Sequence, residues 1–299
     1  MNIAHLIKEN LYGGNDELSS AQVVYFKIFE FFVLYNVIQL SWYWGLYTLK
    51  ITDIVLPLGI ATIIDISFMH GNNLPLINAG LISILTVLAF FRKGPSWIYM
   101  VVFVLLHFQY VARFSIGEIP HSANLPGMAL FSFAVGLIVF KESVHRYRFI
   151  LGFTIFYIGL GYFSASMSKL IGTGPTWVDG RHLWLWIAEK GTDILSREGT
   201  FDYTIVQNIA LNSIPAATLM LFVGIFTEFI GPLIWFRKTR PYITLALVGM
   251  HFGVMMSMNI RFDAFMMELL LIGMPWPEWY ERYKSTITGW FTDPNKIPV

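Results

Sequence analysis

A few side chains suited to proton transfer or anion recognition stand in or beside long apolar stretches: Glu228 and His251 within them, and Arg113, His121, Lys169, Arg261 and Asp263 at their ends. Ionisable groups at membrane depth are costly, usually face the bundle interior and point to function by default. A carboxylate and an imidazole suit proton handling or substrate orientation; they equally suit an interhelical hydrogen bond that fixes packing. At 1.5 Å per residue, Glu228 lies roughly 12 Å and His251 roughly 17 Å from the basic ends of their runs, so the two are able to meet. Arg113, His121, Lys169, Arg261 and Asp263 come from distant parts of the chain and fall near one face, the convergence that a site needs. Each also has a plainer role. Arg113 and Lys169 can snorkel to headgroups, Arg261 can pair with Asp263 or an anionic lipid, and His121 can be a solvated loop residue. His107 and Gln109, below Arg113, line a pocket or satisfy a neighbouring helix.

Lys169 closes the run Tyr162-Phe163-Ser164-Ala165-Ser166-Met167-Ser168-Lys169-Leu170, whose small residues permit close helix approach. That places the lysine on a packed helix. Partly desolvated, its amine would serve as a free base; protonated, it would hold a carboxylate or phosphate. Gly172, Gly174 and Pro175 then force a turn before Trp177-Val178-Asp179-Gly180. Trp177, with Trp184 and Trp186, also fits an interfacial belt. Metal chemistry is not expected: His70, His107, His121, His182 and His251 are scattered, with no two at helical ligand spacing.

The elements that must hold these residues follow from composition. Of 299 residues, 56% are hydrophobic and 13% charged, against about 45–50% and 25% in soluble domains. Too little polar surface remains to wrap a soluble core, and the expected class is an all-α polytopic membrane bundle. Aromatic residues at 17% suit repeated interface crossings. A net charge of +1 gives no support to nucleic-acid binding, and zero Cys excludes disulfides and thiolate chemistry. Lys8, Glu9, Asp16 and Glu17 precede any long apolar run, so no cleavable signal peptide is expected.

Apolar runs near the 20 residues needed to cross hydrocarbon extend from Tyr25 to Leu49, Leu74 to Phe91, Ser96 to Phe114, Leu125 to Phe140, Phe149 to Ser168, Ala210 to Phe236 and Tyr242 to Met258, with a short one from Phe262 to Met274. These give eight spans. Ile51 to Phe68, with Asp53, Pro57, Gly59 and Asp65, is a ninth or a broken helix. The expected organisation is a single domain: an N-terminal segment 1–24, a bundle 25–274 with an extracytoplasmic loop 169–208, and a cytoplasmic tail 275–299. Arg92, Lys93, Lys141, Arg146, Arg148, Arg237, Lys238, Arg240, Arg282, Lys284 and Lys296 all fall on one side, marking it as cytoplasmic. Eight spans put both termini there; nine put the N-terminus outside.

The segment YFSASMSKLIGTGPTWVDG, Tyr162 to Gly180, resembles the K-L, spacer, W-x-x-G element of the vitamin K-dependent gamma-carboxylase and the related bacterial HTTM (horizontally transferred transmembrane) proteins. His121-Ser122 with Leu125 and Gly127 is similar to a histidine-bearing loop of that family. Glu228 with Pro232 and Arg237, and His251 with Ile260 and Phe262, resemble its late helices. The likeness runs from about residue 110 to 275. It implies Lys169 as the base that deprotonates a reduced vitamin K, here a menaquinol-like hydroquinone, for reaction with O2, after which CO2 adds to a substrate carbanion. It implies His121 and His251 in orientation or proton transfer; the candidate binding residues beside them are Arg113, Trp177, Gly180, Glu228 and Arg261. The spacer between Leu170 and Trp177 is longer than in the carboxylase, and its large lumenal domain has no counterpart here. A small or lipid-like substrate, or a separately encoded protein, is then the expected partner, beside membrane lipids.

Two main readings stand. One is a carboxylase-like lyase or quinol-dependent oxygenase in a bacterial inner membrane, acting at the extracytoplasmic face. The other is a non-catalytic lipid- or quinone-binding protein or partner subunit, in which Lys169 and Arg113 clamp an anionic headgroup. A transporter has weaker pointers in the Gly and Pro breaks of Ile51 to Phe68 and near Pro215 and Pro232, without matching halves.

Overall fold

The computed structural model describes residues 2–49, 56, 58–116 and 124–292, and these form helices and turns with no strand among them. The helices are α1 (Ile3–Tyr12), α2 (Ser20–Thr48), α3 (Leu74–Phe90), α4 (Ile98–Phe114), α5 (Asn124–Val139), α6 (Ser143–Thr173), α7 (Gly180–Glu198), α8 (Ile205–Asn212), α9 (Ile214–Phe229), α10 (Arg240–Met258), α11 (Asp263–Gly273) and α12 (Trp276–Thr292). Local chemistry sets their ends. Ser19 with Gln22 and Thr204 with Gln207 form capping boxes that start α2 and α8. Gly199 and Asn259, both in left-handed conformation, close α7 and α10.

Each of the eight apolar runs coincides with helix, but length separates them. Among the described residues three helices are long and apolar enough to cross a membrane: Ser20–Thr48, Ser143–Val178 and Arg240–Met258. The pair α8 and α9 makes a fourth if counted as one span, broken by a bend of 117° where Ser213 caps α9 and Pro215 occupies its first turn. α3, α4 and α5 are apolar but only 16–17 residues long, about 25 Å at the α-helical rise, short of a 30 Å core. Ile51 to Phe68 supplies no further span among the described residues: from Leu58 onward it forms two 3-10 turns, Gly59–Thr62 and Ser67–Met69. The segment expected as a loop, 169–208, is mostly helical. α6 continues past Lys169 to Thr173, a 3-10 turn covers Gly174–Val178, and α7 follows.

The chain forms two compact units: Met1–Leu11 with Ile155–Gly273, and Tyr12–Thr154 with Met274–Val299. In the second, α2 packs on α3, α4, α5 and α12 around Phe29, Val33, Trp44, Tyr99 and Phe133. Gln109 bonds the carbonyls of Ser41 and Pro75, joining three helices, and His107 stacks between Phe103 and Tyr110. In the first, α7, α8 and α9 share the core of Leu183, Ile187, Ala210, Ala217 and Leu221, and Arg237 and Arg240 tie α1 down through Asn10.

Large apolar side chains also face outward along the helices: Val23, Val24, Ile28, Phe31, Tyr35 and Leu46 on α2, and Ile77, Leu81, Ile84 and Val87 on α3. Soluble monomers rarely expose apolar stripes of this extent.

Candidate functional site

Close packing of α6 builds the site. Gly159 leaves room for the Trp235 indole, whose Nε1 donates to the Phe156 carbonyl at 3.1 Å. Gly231, opening the 3-10 turn after α9, leaves room for Tyr162: a Cβ there would lie 2.8 Å from the tyrosine Cβ. With α6 and the end of α9 held in this way, Lys169 reaches Glu228. Lys169 Nζ donates to both Glu228 carboxylate oxygens at 2.5 Å. The Glu228 side chain is 12% exposed and that of Lys169 30%. The pair is therefore nearly buried on the acid side and open to the exterior on the amine side. Trp177, delivered by the 3-10 turn, sets its ring 5.0 Å from Nζ, within cation–π range.

Tyr162 lies seven residues before Lys169, on the same face of α6. Its hydroxyl and His251 Nε2 share a buried hydrogen bond of 2.5 Å. Asn259 (φ 53°) turns the chain back after α10, bringing Phe262 and Phe265 to 4.6 and 5.9 Å from the His251 ring. The two bonded pairs lie two turns of α6 apart, roughly 10 Å at the helical rise. The ensemble has an ammonium bonded to a carboxylate beside a phenol bonded to an imidazole. Such a set can move a proton to or from a bound molecule on its exposed amine side.

Of the residues singled out in the sequence, Lys169, Glu228, Trp177 and His251 share this region. Glu228 and His251 do not bond each other; each takes its partner from α6. Gly180 is a packing residue: a Cβ there would lie 2.6 Å from the Ile214 carbonyl oxygen and 2.9 Å from the Thr218 amide nitrogen. Arg261 is exposed, and no ion pair joins it to Asp263. Arg113 belongs to the other unit, buried with its guanidinium 3.5 Å from the Tyr47 ring centroid. His121 lies outside the described residues. Among the described residues no group of three His, Cys, Asp or Glu side chains is placed to hold a metal ion.

Sequence reasoning passed over Glu30 and Glu268, both fully buried. The signal was available, because each interrupts an apolar run as Glu228 does. Glu30 is met by Lys27 at 3.0 Å, Arg92 at 2.8 Å and the Tyr99 hydroxyl. Glu268 has no hydrogen-bond partner on either oxygen.

No known protein family, curated protein or solved structure matches the chain.

Proposed function

We propose that the chain is an integral membrane enzyme in which Lys169 and Glu228 act as an acid–base pair on a phenolic or lipid-like substrate, a hydroquinone above all. The observation that carries this reading is the double hydrogen bond from Lys169 to Glu228, with the amine side open and the acid side buried. An ammonium already bonded to a carboxylate is a poor clamp for a second anion, which weighs against the headgroup-binding alternative. It is a competent proton carrier. When Lys169 passes a proton to Glu228, the resulting amine takes one from a phenolic hydroxyl, leaving the phenolate beside a restored ammonium. The residues fit such a group chemically: a basic nitrogen, a carboxyl to share its proton and the Trp177 ring against which an aromatic can lie. A bound hydroquinone would supply reducing equivalents to O2, and in a carboxylase-like reaction the strong base so generated would remove a C–H proton from a second substrate, whose carbanion would take up CO2.

The outward apolar stripes support the membrane setting. Along α6 alone, 21 residues separate Arg148 from Lys169, roughly 31 Å at the helical rise. Arg148 and Lys169 therefore suit opposite faces of one bilayer. Basic residues on the Arg148 side favour it as cytoplasmic, so the pair would face outward from a bacterial inner membrane.

The test uses the full chain in lipid vesicles, with hydroquinone oxidation followed by absorbance. Lys169→Ala and Glu228→Gln should each lower turnover by about a hundredfold or more, the range for a positioned acid–base group. Turnover that survives Lys169→Ala unchanged would sink the enzyme reading. Lipid co-purifying only with Lys169 intact, without hydroquinone consumption, would favour the non-catalytic one.

A further inference from the structure

The acid–base pair leaves Glu268 unused. Glu268 sits in the middle of α11 among Met266, Met267, Leu269 and Leu270, fully buried, with neither oxygen bonded. Glu228, less deeply buried, has Lys169. An ionised carboxylate without donor or counter-charge is strongly disfavoured in such a place, whereas a carboxylic acid carries no charge and offers its own O–H.

The neighbouring chemistry is that of a proton path. α10 packs on α11 and carries two further buried polar atoms without partners, Thr244 Oγ1 and His251 Nδ1, seven residues apart on one helix face. The other nitrogen of His251 is bonded to Tyr162, so the imidazole has one occupied and one unoccupied end. Phe265, one turn before Glu268 on α11, has its ring 5.9 Å from that of His251, and Lys169 stands two turns beyond Tyr162 on α6. Buried polar atoms without a protein partner are ordinarily satisfied by water.

We propose that Glu268 stores a proton for the Lys169–Glu228 pair and exchanges it through His251 and Tyr162, with water completing the path. The proposal rests on the reading that the pair transfers a proton. Only protons move: the O–H bond of Glu268 breaks as an N–H bond forms at His251 Nδ1. His251 Nε2–H passes to Tyr162, whose own hydroxyl proton moves on toward the pair. Reversal restores Glu268 after each turnover.

Infrared spectroscopy of the full chain in vesicles at neutral pH tests this. A protonated carboxylic acid gives a carbonyl stretch that shifts on exchange into D2O. That band should be present in the native chain, lost in Glu268→Gln and retained in Glu228→Gln. Tyr162→Phe should keep the band but slow its deuteration by about a hundredfold, the lower end of what a positioned proton donor contributes. A spectrum unchanged by Glu268→Gln, in a variant that unfolds as the native chain does, overturns the proton store. Deuteration unaffected by Tyr162→Phe overturns the relay. The two readings fail separately. A Glu268 band with turnover independent of Lys169 sinks the enzyme; Lys169-dependent turnover without the band sinks the store alone.

Discussion

Lys169 on α6 and Glu228 on α9, 59 positions apart in the chain, are joined by two hydrogen bonds of 2.5 Å from one nitrogen. Removing one partner of a largely buried ion pair leaves the other uncompensated, typically at about 3 kcal/mol or more, whereas removing both is far milder. Lys169→Met and Glu228→Gln should therefore each destabilise the chain, and the double variant should lose much less than their sum. Unfolding in detergent, run as a double-mutant cycle, measures the coupling. Strict additivity would mean that the two side chains do not hold each other in solution.

Gly180 meets α9 where no side chain can yield. The nearest atoms are the Ile214 carbonyl oxygen, the Ala217 Cβ and the Thr218 amide nitrogen, none of which can rotate away, so Gly180→Ala must shift one helix against the other, at a cost of about 1–3 kcal/mol as for overpacking elsewhere. Thr218→Ser keeps the hydroxyl that accepts from the Gly180 N–H and should be nearly neutral. A fully stable Gly180→Ala chain would contradict the close approach.

Glu30 is held by Lys27, Arg92 and Tyr99 while itself fully buried. Glu30→Ala should cost about 1–3 kcal/mol, because it leaves the buried Tyr99 hydroxyl without its carboxylate acceptor, while the half-exposed Lys27 and Arg92 can turn to water. Glu30→Gln keeps an acceptor for Tyr99 and should lose less. Thermal unfolding ranks the two variants, and a reversed order would remove the network as the cause.

Asp179 caps α7 and is held below its ordinary value of 3.8, chiefly by the backbone N–H of Arg181 donating to its carboxylate. A carboxylate held low contributes stability above its ordinary value and loses it as pH falls through the lower folded value. The protection of the Arg181 amide against exchange, taken relative to its intrinsic rate at each pH, should therefore fall on acidification below about pH 4. Asp179→Asn keeps a good cap and should show no such fall; an equal response in both chains would assign it to another group.

Helix positions were legible because apolar runs mark them, from Leu74 in α3 to Met258 in α10. α7 escaped that search because it is amphipathic. Leu183, Ile187 and Ile194 are buried at helical spacing, while Arg181, Glu189, Lys190 and Asp193 give the segment the composition of a loop. Lys169, Glu228 and His251 could be singled out by type and depth alone. Their pairing could not, because a helix that is apolar all round gives no sign of its rotation. That rotation is set by contacts such as Gly159 with Trp235 and Gly231 with Tyr162, which specify fit in three dimensions and leave no periodic trace.

The bend between α8 and α9 interrupts the backbone ladder in a segment otherwise suited to lipid. Hydrocarbon offers nothing to a freed carbonyl, so such a break survives only where the protein itself supplies donors. Trp184 of α7 does so, donating from Nε1 to the Ala210 carbonyl at 2.6 Å, while Ser213 serves the Ala216 amide from the other side. The charged exterior of α7 thus conceals a splint: without it the two halves of the broken segment would have to straighten, or draw water down to the depth of the kink.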